Sequence, residues 1–292
     1  MKMSGLYTAI ITPFHEDGAI DLATFRTLIE NQIEGGVDGI VVTGSTGEAA
    51  TLSTNEKTTL WSTAVEAANG RVAIVAGSGS NNTAETIHAT KAAAEVGAAA
   101  ALIVTPYYNK PTLRGLIAHH SAIADASDIP QIMYNVPGRT ATNMTAEMQL
   151  AIIEAVPTII ATKEASANLS QIAQIATHAP SHISVLAGDD DLALPTISVG
   201  GVGVIAVISN YAPVTYGELI HEALAGNIQR AQEIHSRLQP WYKANFLESN
   251  PIPVKYIMHK IHGGSLTYRL PLTPPTDATR STIDAKWDLR PL

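Results

Sequence analysis

The 292-residue chain contains no cysteine and has few charged residues. Without cysteine it forms no disulfide, no thiolate–metal bond and no cysteine nucleophile, and this composition is typical of a reducing compartment such as the cytoplasm. Only 18 residues are basic against 26 acidic ones, and no dense Lys/Arg run is available to neutralise a row of phosphates. The longest apolar run, residues 199–208, has about half of the ~20 residues that a membrane helix needs. We therefore expect a soluble protein that binds neither nucleic acid nor membranes.

Eight strand-sized apolar runs occur along the chain. Most are continuously apolar, a pattern typical of parallel strands that are covered on both faces. The start of the chain is interpreted as the first strand and not as a targeting segment, because Thr12-Pro13 interrupts its apolar stretch. The pattern predicts a parallel sheet with helices outside it. The runs are Thr8–Ile11, Ile40–Val42, Val72–Ala76, Ala101–Val104, Ile129–Met133, Ile159–Ala161, Ile183–Ala187 and Val202–Ile208.

The segments between these runs carry helical periodicity. A first helix is predicted to follow Asp21 and to end before Gly35. Ser53 and Glu56 form a candidate capping box for a second helix, and an amphipathic pattern beginning at Leu169 indicates another. Strand and helix therefore alternate.

Eight alternating units indicate the α/β class and a closed (β/α)8 TIM barrel. An open doubly wound sheet is disfavoured, because no Gly-x-Gly-x-x-Gly turn follows the first strand. After about residue 225 the pattern predicts helices alone. We expect a catalytic barrel over residues 1–225 and a small C-terminal helical appendage over residues 226–292.

Polar residues that directly follow the predicted strands are the candidate site residues, because a TIM barrel builds its active site at the C-terminal ends of its strands. All of them are expected to converge on one mouth. They are Gly44–Glu48 after the second strand, Tyr107 and Tyr108 after the fourth, Tyr134–Arg139 after the fifth, Lys163 and Glu164 after the sixth, and Gly188–Asp190 after the seventh.

Lys163 is the most diagnostic of these residues. It follows Ile159-Ile160-Ala161-Thr162 on a strand with buried neighbours, and burial of an ammonium group disfavours its charged form. A neutral amine attacks a carbonyl to form a Schiff base, which then acts as an electron sink for making or breaking the adjacent carbon–carbon bond. The alternative is a structural lysine paired with Glu164 or Glu48, and spacing alone does not separate the two.

Three other segments admit a functional and a structural interpretation. The Gly44–Glu48 turn could hold an anion through backbone and hydroxyl donors, or it is a plain strand-to-helix turn. Tyr134 could relay protons and Arg139 could grip a carboxylate, or the two are a core aromatic and a solvated cation. Tyr107 and Tyr108 could be rim packing or a subunit contact.

The ten histidines raise the question of a metal site. His259 and His262 lie in a predicted appendage helix with no carboxylate partner in view, and His119-His120 are expected to be packed or solvated on the helix after the fourth strand. The acidic Gly188–Asp190 segment is unfavourable for a phosphate. We expect no metal, no cofactor and a substrate without phosphate.

Residues 134–140, Tyr-Asn-Val-Pro-Gly-Arg-Thr, followed by Lys163-Glu164-Ala165, resemble the dihydrodipicolinate synthase branch of the dihydrodipicolinate synthase and N-acetylneuraminate lyase superfamily of class I aldolases. The resemblance runs from Tyr7 through the C-terminal helices, and Arg139 is the residue that distinguishes this branch. It implies a lyase that condenses pyruvate with L-aspartate 4-semialdehyde through a Schiff base on Lys163. The product would be 4-hydroxy-tetrahydrodipicolinate, on the route to diaminopimelate and lysine.

The resemblance also implies roles for individual residues and an assembly. Thr46, Tyr134 and Tyr108 would form a proton relay, with Tyr108 supplied by the neighbouring subunit. Members of this family are commonly homotetramers built as dimers of tight dimers. The implied substrate-binding residues are Ser45 and Thr46 on the pyruvate carboxylate side, Arg139 on the semialdehyde carboxylate, and Gly188 and Ile205 lining the pocket.

A regulatory site is also implied by the resemblance. Lysine-inhibited members of the family use an interface pocket that matches Asn81, Glu85 and Tyr107, together with neutral polar groups near Thr54 and Lys57. A cationic Lys57 would repel the ammonium group of a bound lysine. We hypothesise weak or absent inhibition by lysine.

Two alternative functions stay open. Ser45 stands where many synthases have threonine, and a Ser-Thr pair is also similar to the neuraminate lyases. An aldolase for N-acetylneuraminate or a 2-keto-3-deoxy sugar acid would share Lys163 and Tyr134 but needs a polyol pocket, which Arg139 disfavours. A non-catalytic barrel used for binding or assembly is the alternative from another class, and it predicts no borohydride-trapped pyruvate on Lys163.

Overall fold

The computed structural model describes residues 2–291 and contains one closed barrel of eight parallel strands. Each strand hydrogen-bonds to the next in chain order, and the eighth strand closes on the first. The strands are β1 (Gly5–Ala9), β2 (Gly39–Val42), β3 (Ala73–Gly77), β4 (Ala100–Val104), β5 (Gln131–Asn135), β6 (Ile159–Glu164), β7 (Ser184–Ala187) and β8 (Gly203–Ala206).

Twelve α-helices accompany the strands in residues 2–291. They are α1 (Leu22–Glu34), α2 (Thr54–Ala68), α3 (Thr83–Glu95), α4 (Leu113–Ala126), α5 (Pro137–Thr140), α6 (Ala146–Ala155), α7 (Leu169–His178), α8 (Ala193–Ser198), α9 (Pro213–Leu224), α10 (Ile228–Ala244), α11 (Ile252–His262) and α12 (Asp277–Asp284).

The sequence predicted this architecture correctly. All eight apolar runs overlap strands, and the (β/α)8 TIM barrel with C-terminal helices is confirmed. The Asp21 side chain caps α1 by accepting from the Thr24 amide, and Ser53 with Glu56 forms the predicted capping box of α2. These caps satisfy backbone amides that a helix leaves unpaired at its N-terminus.

The hydrophobic core has an inner and an outer layer. Inside the barrel, Val41, Ile132, Ala161 and Leu186 are among the side chains of one buried cluster. A larger cluster lies between the strands and the surrounding helices.

The C-terminal helices are part of the outer layer. Leu238 and Trp241 of α10 and Val254 and Ile257 of α11 belong to the same buried cluster as Leu6 of β1. The helical region and the barrel therefore share one core, and the division at residue 225 stays a prediction about chain organisation. None of the helices formed by residues 2–291 has the length and apolar character needed to cross a membrane.

Candidate active site

Two adjoining cavities open at the C-terminal ends of the strands, where the sequence placed the site. The larger, of about 450 Å³, runs from the loop after β2 past Tyr134 and Arg139 to Lys57, Glu85 and Tyr107. The smaller reaches Lys163 and Gly188 at the ends of β6 and β7. Ser45, Tyr134, Arg139 and Asn250 line both cavities.

Lys163 is buried near the end of β6, in register with Tyr134 on β5. Its Nζ atom lies 4.4 Å from the centroid of the Tyr134 ring. The pKa of Lys163 is lowered to about 8, mainly by burial; the Asp189 and Asp190 charges act to raise it, and the Arg139 charge acts to lower it. A substantial fraction of this amine is therefore neutral near physiological pH.

The structural alternative for Lys163 was an ion pair with Glu48 or Glu164, and this interpretation is wrong. Within residues 2–291, no ion pair involves Lys163. Glu48 pairs with Lys255, 2.5 Å from its Nζ atom. Glu164 is held by uncharged groups, so neither carboxylate of that alternative pairs with the amine of Lys163.

The Glu164 carboxylate points into a buried cradle of side-chain amides. Asn135 donates to Oε1 at 2.8 Å, and Gln149 and Gln171 donate to Oε2 at 3.0 and 2.6 Å. Burial raises the pKa of Glu164, and these hydrogen bonds oppose that shift. Because the cradle joins β5, α6 and α7 to the end of β6, it fixes the backbone that carries Lys163.

Tyr134 is almost fully buried at the end of β5. The pKa of its phenol is raised to about 12, mainly by burial; the Arg139 charge opposes this shift, the Asp189 charge adds to it, and a hydrogen bond with the Ser45 side chain opposes it. The phenol therefore stays protonated near neutral pH and is available as a proton donor beside Lys163.

Two carboxyl groups after β7 lie near the lysine. Burial raises the pKa of Asp189 and of Asp190 to about 6. The two Asp190 oxygens accept from the Val207 and Ile208 amides, both at 2.8 Å. Asp190 thus fastens the end of β7 to the loop after β8.

The turn after β2 carries Ser45 and Thr46. Ser45–Gly47 forms one turn of 3-10 helix, and Glu48 follows with a left-handed φ of 56°. The turn passes close to β3, since a Cβ on Gly77 would lie 2.3 Å from the Thr43 carbonyl oxygen. Glycine is therefore required at that crossing.

Asn250 connects this turn to Arg139, and sequence reasoning did not identify it. Its side-chain Nδ2 donates to Thr46 Oγ1 at 2.9 Å, and its backbone carbonyl accepts from Arg139 Nη2 at 3.1 Å. Asn250 Oδ1 is buried without a hydrogen-bond partner within residues 2–291. Residue 250 fell within the segment predicted to be an appendage, so no strand-end signal marked it.

A second contact from the C-terminal region holds the same turn. Lys255 on α11 donates to Glu48 Oε1 at 2.5 Å and to the Thr267 carbonyl at 2.7 Å. The Arg269 amide donates to the other Glu48 oxygen at 3.1 Å. The Lys255 cation also lies 4.4 Å from the Phe14 ring centroid. Glu48 is therefore paired and hydrogen-bonded although its side chain is fully buried.

The other predicted site residues lie in three different environments. Gly188 lines the smaller cavity with Lys163. Ile205 is buried in the inner cluster of the barrel and is not one of the residues that line these two cavities. The Tyr108 side chain is 91% exposed, and the residue has a left-handed φ of 70°.

The predicted regulatory residues lie at the outer end of the larger cavity. Glu85 and Tyr107 line it together with Lys57. Asn81 Nδ2 donates to the Tyr107 carbonyl at 3.1 Å. Burial lowers the pKa of Lys57, and the Glu85 charge raises it.

The histidines singled out by the sequence have structural contacts. His119 and His120 on α4 are both buried, so of the two predicted roles they have the packing one. The ring of His120 hydrogen-bonds to Gln131 at 2.9 Å, and burial lowers its pKa. His259 Nδ1 lies 2.9 Å from the Gly264 carbonyl oxygen. In residues 2–291 no cluster of three or more His, Asp or Glu side chains is arranged to hold a metal ion.

Comparisons with known proteins agree with this geometry. The model of the dihydrodipicolinate synthetase family matches residues 2–288. The 4-hydroxy-tetrahydrodipicolinate synthase of Maridesulfovibrio salexigens is 44% identical over 286 residues, which is 98% of each chain. The crystal structure of the chloride-inhibited dihydrodipicolinate synthase from Acinetobacter baumannii, complexed with pyruvate, is 38% identical with a TM-score of 0.96 and covers 99% of each chain. A DHDPS from Cyanidioschyzon merolae with lysine bound is also 38% identical, with a TM-score of 0.95 and 99% of each chain covered.

Proposed function

The chain belongs to the dihydrodipicolinate synthetase family, and from that premise we propose how its residues condense pyruvate with L-aspartate 4-semialdehyde to give 4-hydroxy-tetrahydrodipicolinate. The protein is a 4-hydroxy-tetrahydrodipicolinate synthase, a lyase of lysine and diaminopimelate biosynthesis. The catalytic assignment depends on Lys163. Its amine is buried, has a lowered pKa, forms no ion pair within residues 2–291 and lines the smaller cavity at the barrel mouth.

Lys163 is the nucleophile of the proposed mechanism. Its neutral amine adds to the carbonyl carbon of pyruvate, and loss of water gives a protonated imine. The imine withdraws electrons from the adjacent methyl group, which gives a proton to the Tyr134 and Thr46 relay, so that the relay regains the proton spent on the leaving hydroxyl and an enamine forms. The enamine carbon attacks the aldehyde carbon of the semialdehyde, and the aldehyde oxygen takes up a proton. The amino group of the condensed product then displaces Lys163 from the imine carbon, which closes the ring and frees the enzyme.

Tyr134 and Thr46 are the proposed proton relay on this chain. The Tyr134 ring covers the lysine amine, and its phenol is protonated near neutral pH, so it is able to supply the proton that the leaving hydroxyl needs. Thr46 also lines the smaller cavity. Tyr108 would complete the relay from a neighbouring subunit, a proposal supported by the exposure of its side chain.

Arg139 is the proposed anchor for the carboxylate of the semialdehyde. Its guanidinium lines both cavities and is held in place by the Asn250 carbonyl. A guanidinium binds a carboxylate through two parallel hydrogen bonds, and this contact orients the aldehyde. Ser45 is proposed to bind the pyruvate carboxylate with Thr46, and Gly188 provides space beside Lys163.

The proposed assembly follows the family, and the proposed location follows from the absence of cysteine. We expect a cytoplasmic homotetramer in which pairs of chains exchange Tyr108. Lys57 is proposed to weaken lysine inhibition, because its cation shares the outer cavity with Glu85 and Tyr107, where a bound lysine would place its own ammonium group.

The first experiment compares two aldehyde acceptors with the purified protein. Pyruvate consumption is followed with L-aspartate 4-semialdehyde and, separately, with N-acetylmannosamine. We expect turnover with the semialdehyde alone. Preference for the sugar would keep Lys163 as nucleophile but assign the protein to sugar-acid aldolases.

Borohydride trapping tests the covalent step separately. Pyruvate plus borohydride should add one reduced pyruvyl group at Lys163, located by peptide mass spectrometry, and the Lys163→Ala variant is the matched control. Absence of the adduct in the unaltered protein would overturn the Schiff-base mechanism and favour a binding role for the barrel.

A further inference from the structure

Asn250 occupies an unusual position between two parts of the proposed active site. It is buried, lies at the start of the segment leading into α11, and lines both cavities. Through its side chain it contacts Thr46, and through its backbone it contacts Arg139. No role in the reaction described above requires Asn250 to touch either substrate.

The side-chain contact restricts the directions in which the Thr46 hydroxyl is able to donate its hydrogen. A hydroxyl has one hydrogen to donate and two lone pairs to accept with. Because Asn250 Nδ2 donates to Thr46 Oγ1 at 2.9 Å, it occupies one lone pair and leaves the Thr46 hydrogen for a different acceptor. A relay transfers protons efficiently only when its hydroxyl groups point along the transfer path.

The backbone contact is independent of the side chain. Any residue at position 250 has a carbonyl that is able to accept from Arg139. A substitution of the side chain therefore acts on Thr46 and leaves the Arg139 anchor in place. A side-chain substitution at Asn250 is therefore expected to change proton transfer without changing how the semialdehyde binds.

We propose that Asn250 is a positioning residue that orients the Thr46 hydroxyl for proton transfer during formation of the pyruvate enamine. The proposal rests on the Schiff-base chemistry of the proposed function and adds a residue of the C-terminal helical region to its machinery. Lys255 supports the same turn by donating to Glu48, which lies two residues after Thr46.

The test follows exchange of the pyruvate methyl hydrogens in D2O by NMR, without any aldehyde. In this reaction the imine on Lys163 loses a methyl proton to give the enamine, and the enamine takes up a deuteron on its return. Exchange requires Lys163 and the relay but not the semialdehyde. If the semialdehyde is the wrong aldehyde substrate, the unaltered protein still exchanges the methyl hydrogens of pyruvate. If the unaltered protein shows no exchange, the Schiff-base mechanism itself is contradicted.

The variants form a double-mutant cycle. Asn250→Asp replaces the donating NH2 by an oxygen of similar size, and Asn250→Leu removes the polar group without adding charge. Each is combined with Thr46→Val, which lacks the hydroxyl, and with Thr46→Ser, which keeps it. Rates are expressed per site labelled by pyruvate and borohydride, so that misfolded protein does not contribute.

We expect each Asn250 substitution to lower the exchange rate at least about 10-fold when residue 46 is Thr or Ser. In the Thr46→Val background the same substitutions should change the rate less than about 2-fold, because no hydroxyl is left to orient. KM for the semialdehyde should change little. Equal losses in the Thr46 and Thr46→Val backgrounds would overturn the proposal, as would a loss below 2-fold with Thr46 present.

Asn245 offers the matched control. It is fully buried in the same helical region, accepts from the Tyr211 hydroxyl at 3.1 Å and has a buried Nδ2 without a hydrogen-bond partner within residues 2–291. Asn245→Asp is therefore the same chemical change away from the cavities. A rate loss in this variant equal to that of Asn250→Asp would mean that any buried Asn-to-Asp change suffices, and would refute a specific role for Asn250.

Discussion

Removal of the Lys255 cation is predicted to destabilise the protein far more than loss of an ion pair on the surface. The Lys255–Glu48 pair is buried, with side chains 4% and 0% exposed, and its atoms lie 2.5 Å apart. Lys255→Met keeps the length of the side chain but leaves the Glu48 carboxylate without its cation. Loss of one partner of a buried pair typically costs about 3–5 kcal/mol, because the remaining charge stays desolvated.

The second variant of this test removes both charges. Glu48→Gln keeps an oxygen that is able to accept from the Arg269 amide, so the backbone contact at 3.1 Å is retained. The double variant Glu48→Gln with Lys255→Met contains no unpaired charge at this position. We therefore expect it to recover most of the stability lost by Lys255→Met alone.

The assay is urea unfolding followed by circular dichroism at constant protein concentration. Arg230→Met is the control, because Arg230 pairs with Glu218 at 2.6 Å in an exposed position. Exposed pairs contribute little to stability, so the control should barely move the midpoint. The reasoning is refuted if Lys255→Met unfolds at the same urea concentration as the control, or if the double variant is no more stable than Lys255→Met.

Four further predictions concern the site. First, the rate of borohydride trapping should rise with pH and level off above about 8, because the neutral form of Lys163 increases as pH passes its pKa. In Arg139→Met the midpoint should move up, since the Arg139 charge lowers that pKa; an unmoved midpoint would contradict this electrostatic coupling. Second, Arg139→Met should raise KM for the semialdehyde about 10-fold or more, the effect of losing a charged hydrogen bond, while pyruvate trapping persists; steady-state kinetics with each substrate varied would show it. Third, Gly188→Ala should slow trapping, because the new Cβ would lie 2.6 Å from Ala165 Cβ and 3.1 Å from Lys163 Cε. Gly138→Ala serves as the control, because its Cβ would meet no atom of residues 2–291 within 4 Å outside its own helix backbone and chain neighbours. Equal trapping rates in the two alanine variants would argue against this steric effect. Fourth, Lys57→His should lower the lysine concentration that halves activity about 5-fold, the equivalent of removing ~1 kcal/mol of charge repulsion. An inhibition curve identical to that of the unaltered protein would exclude Lys57 as the cause of weak inhibition.

The barrel was predictable from sequence because its signals are local. A continuous apolar run reports a strand buried on both faces, and its end marks the mouth of the barrel. Lys163 was identified by this rule, since only Thr162 separates it from such a run. Ser53 and Glu56 lie three residues apart, so their capping box was also visible in the sequence.

Asn250 and Lys255 were not predictable by the same rules. Asn250 is 204 residues from Thr46 in the chain, and Lys255 is 207 residues from Glu48. Neither residue follows a strand, and helical periodicity says which face of α11 is buried but not which distant group a polar side chain meets. The same limit applied to Glu164, whose interpretation as an ion-pair partner of Lys163 did not anticipate the amide cradle.

The Glu164 cradle has a consequence for how the enzyme responds to ionic strength. Salt weakens attraction between exposed charges, with a Debye length of about 8 Å at physiological concentration. The groups that hold the end of β6 are one buried carboxylate and the uncharged amides of Asn135, Gln149 and Gln171. Mobile ions do not reach this site, and the contacts contain no pair of opposite charges to screen. The nucleophile is therefore held by a support that concentrated salt does not loosen, even where it weakens the ion pairs on the surface of the barrel.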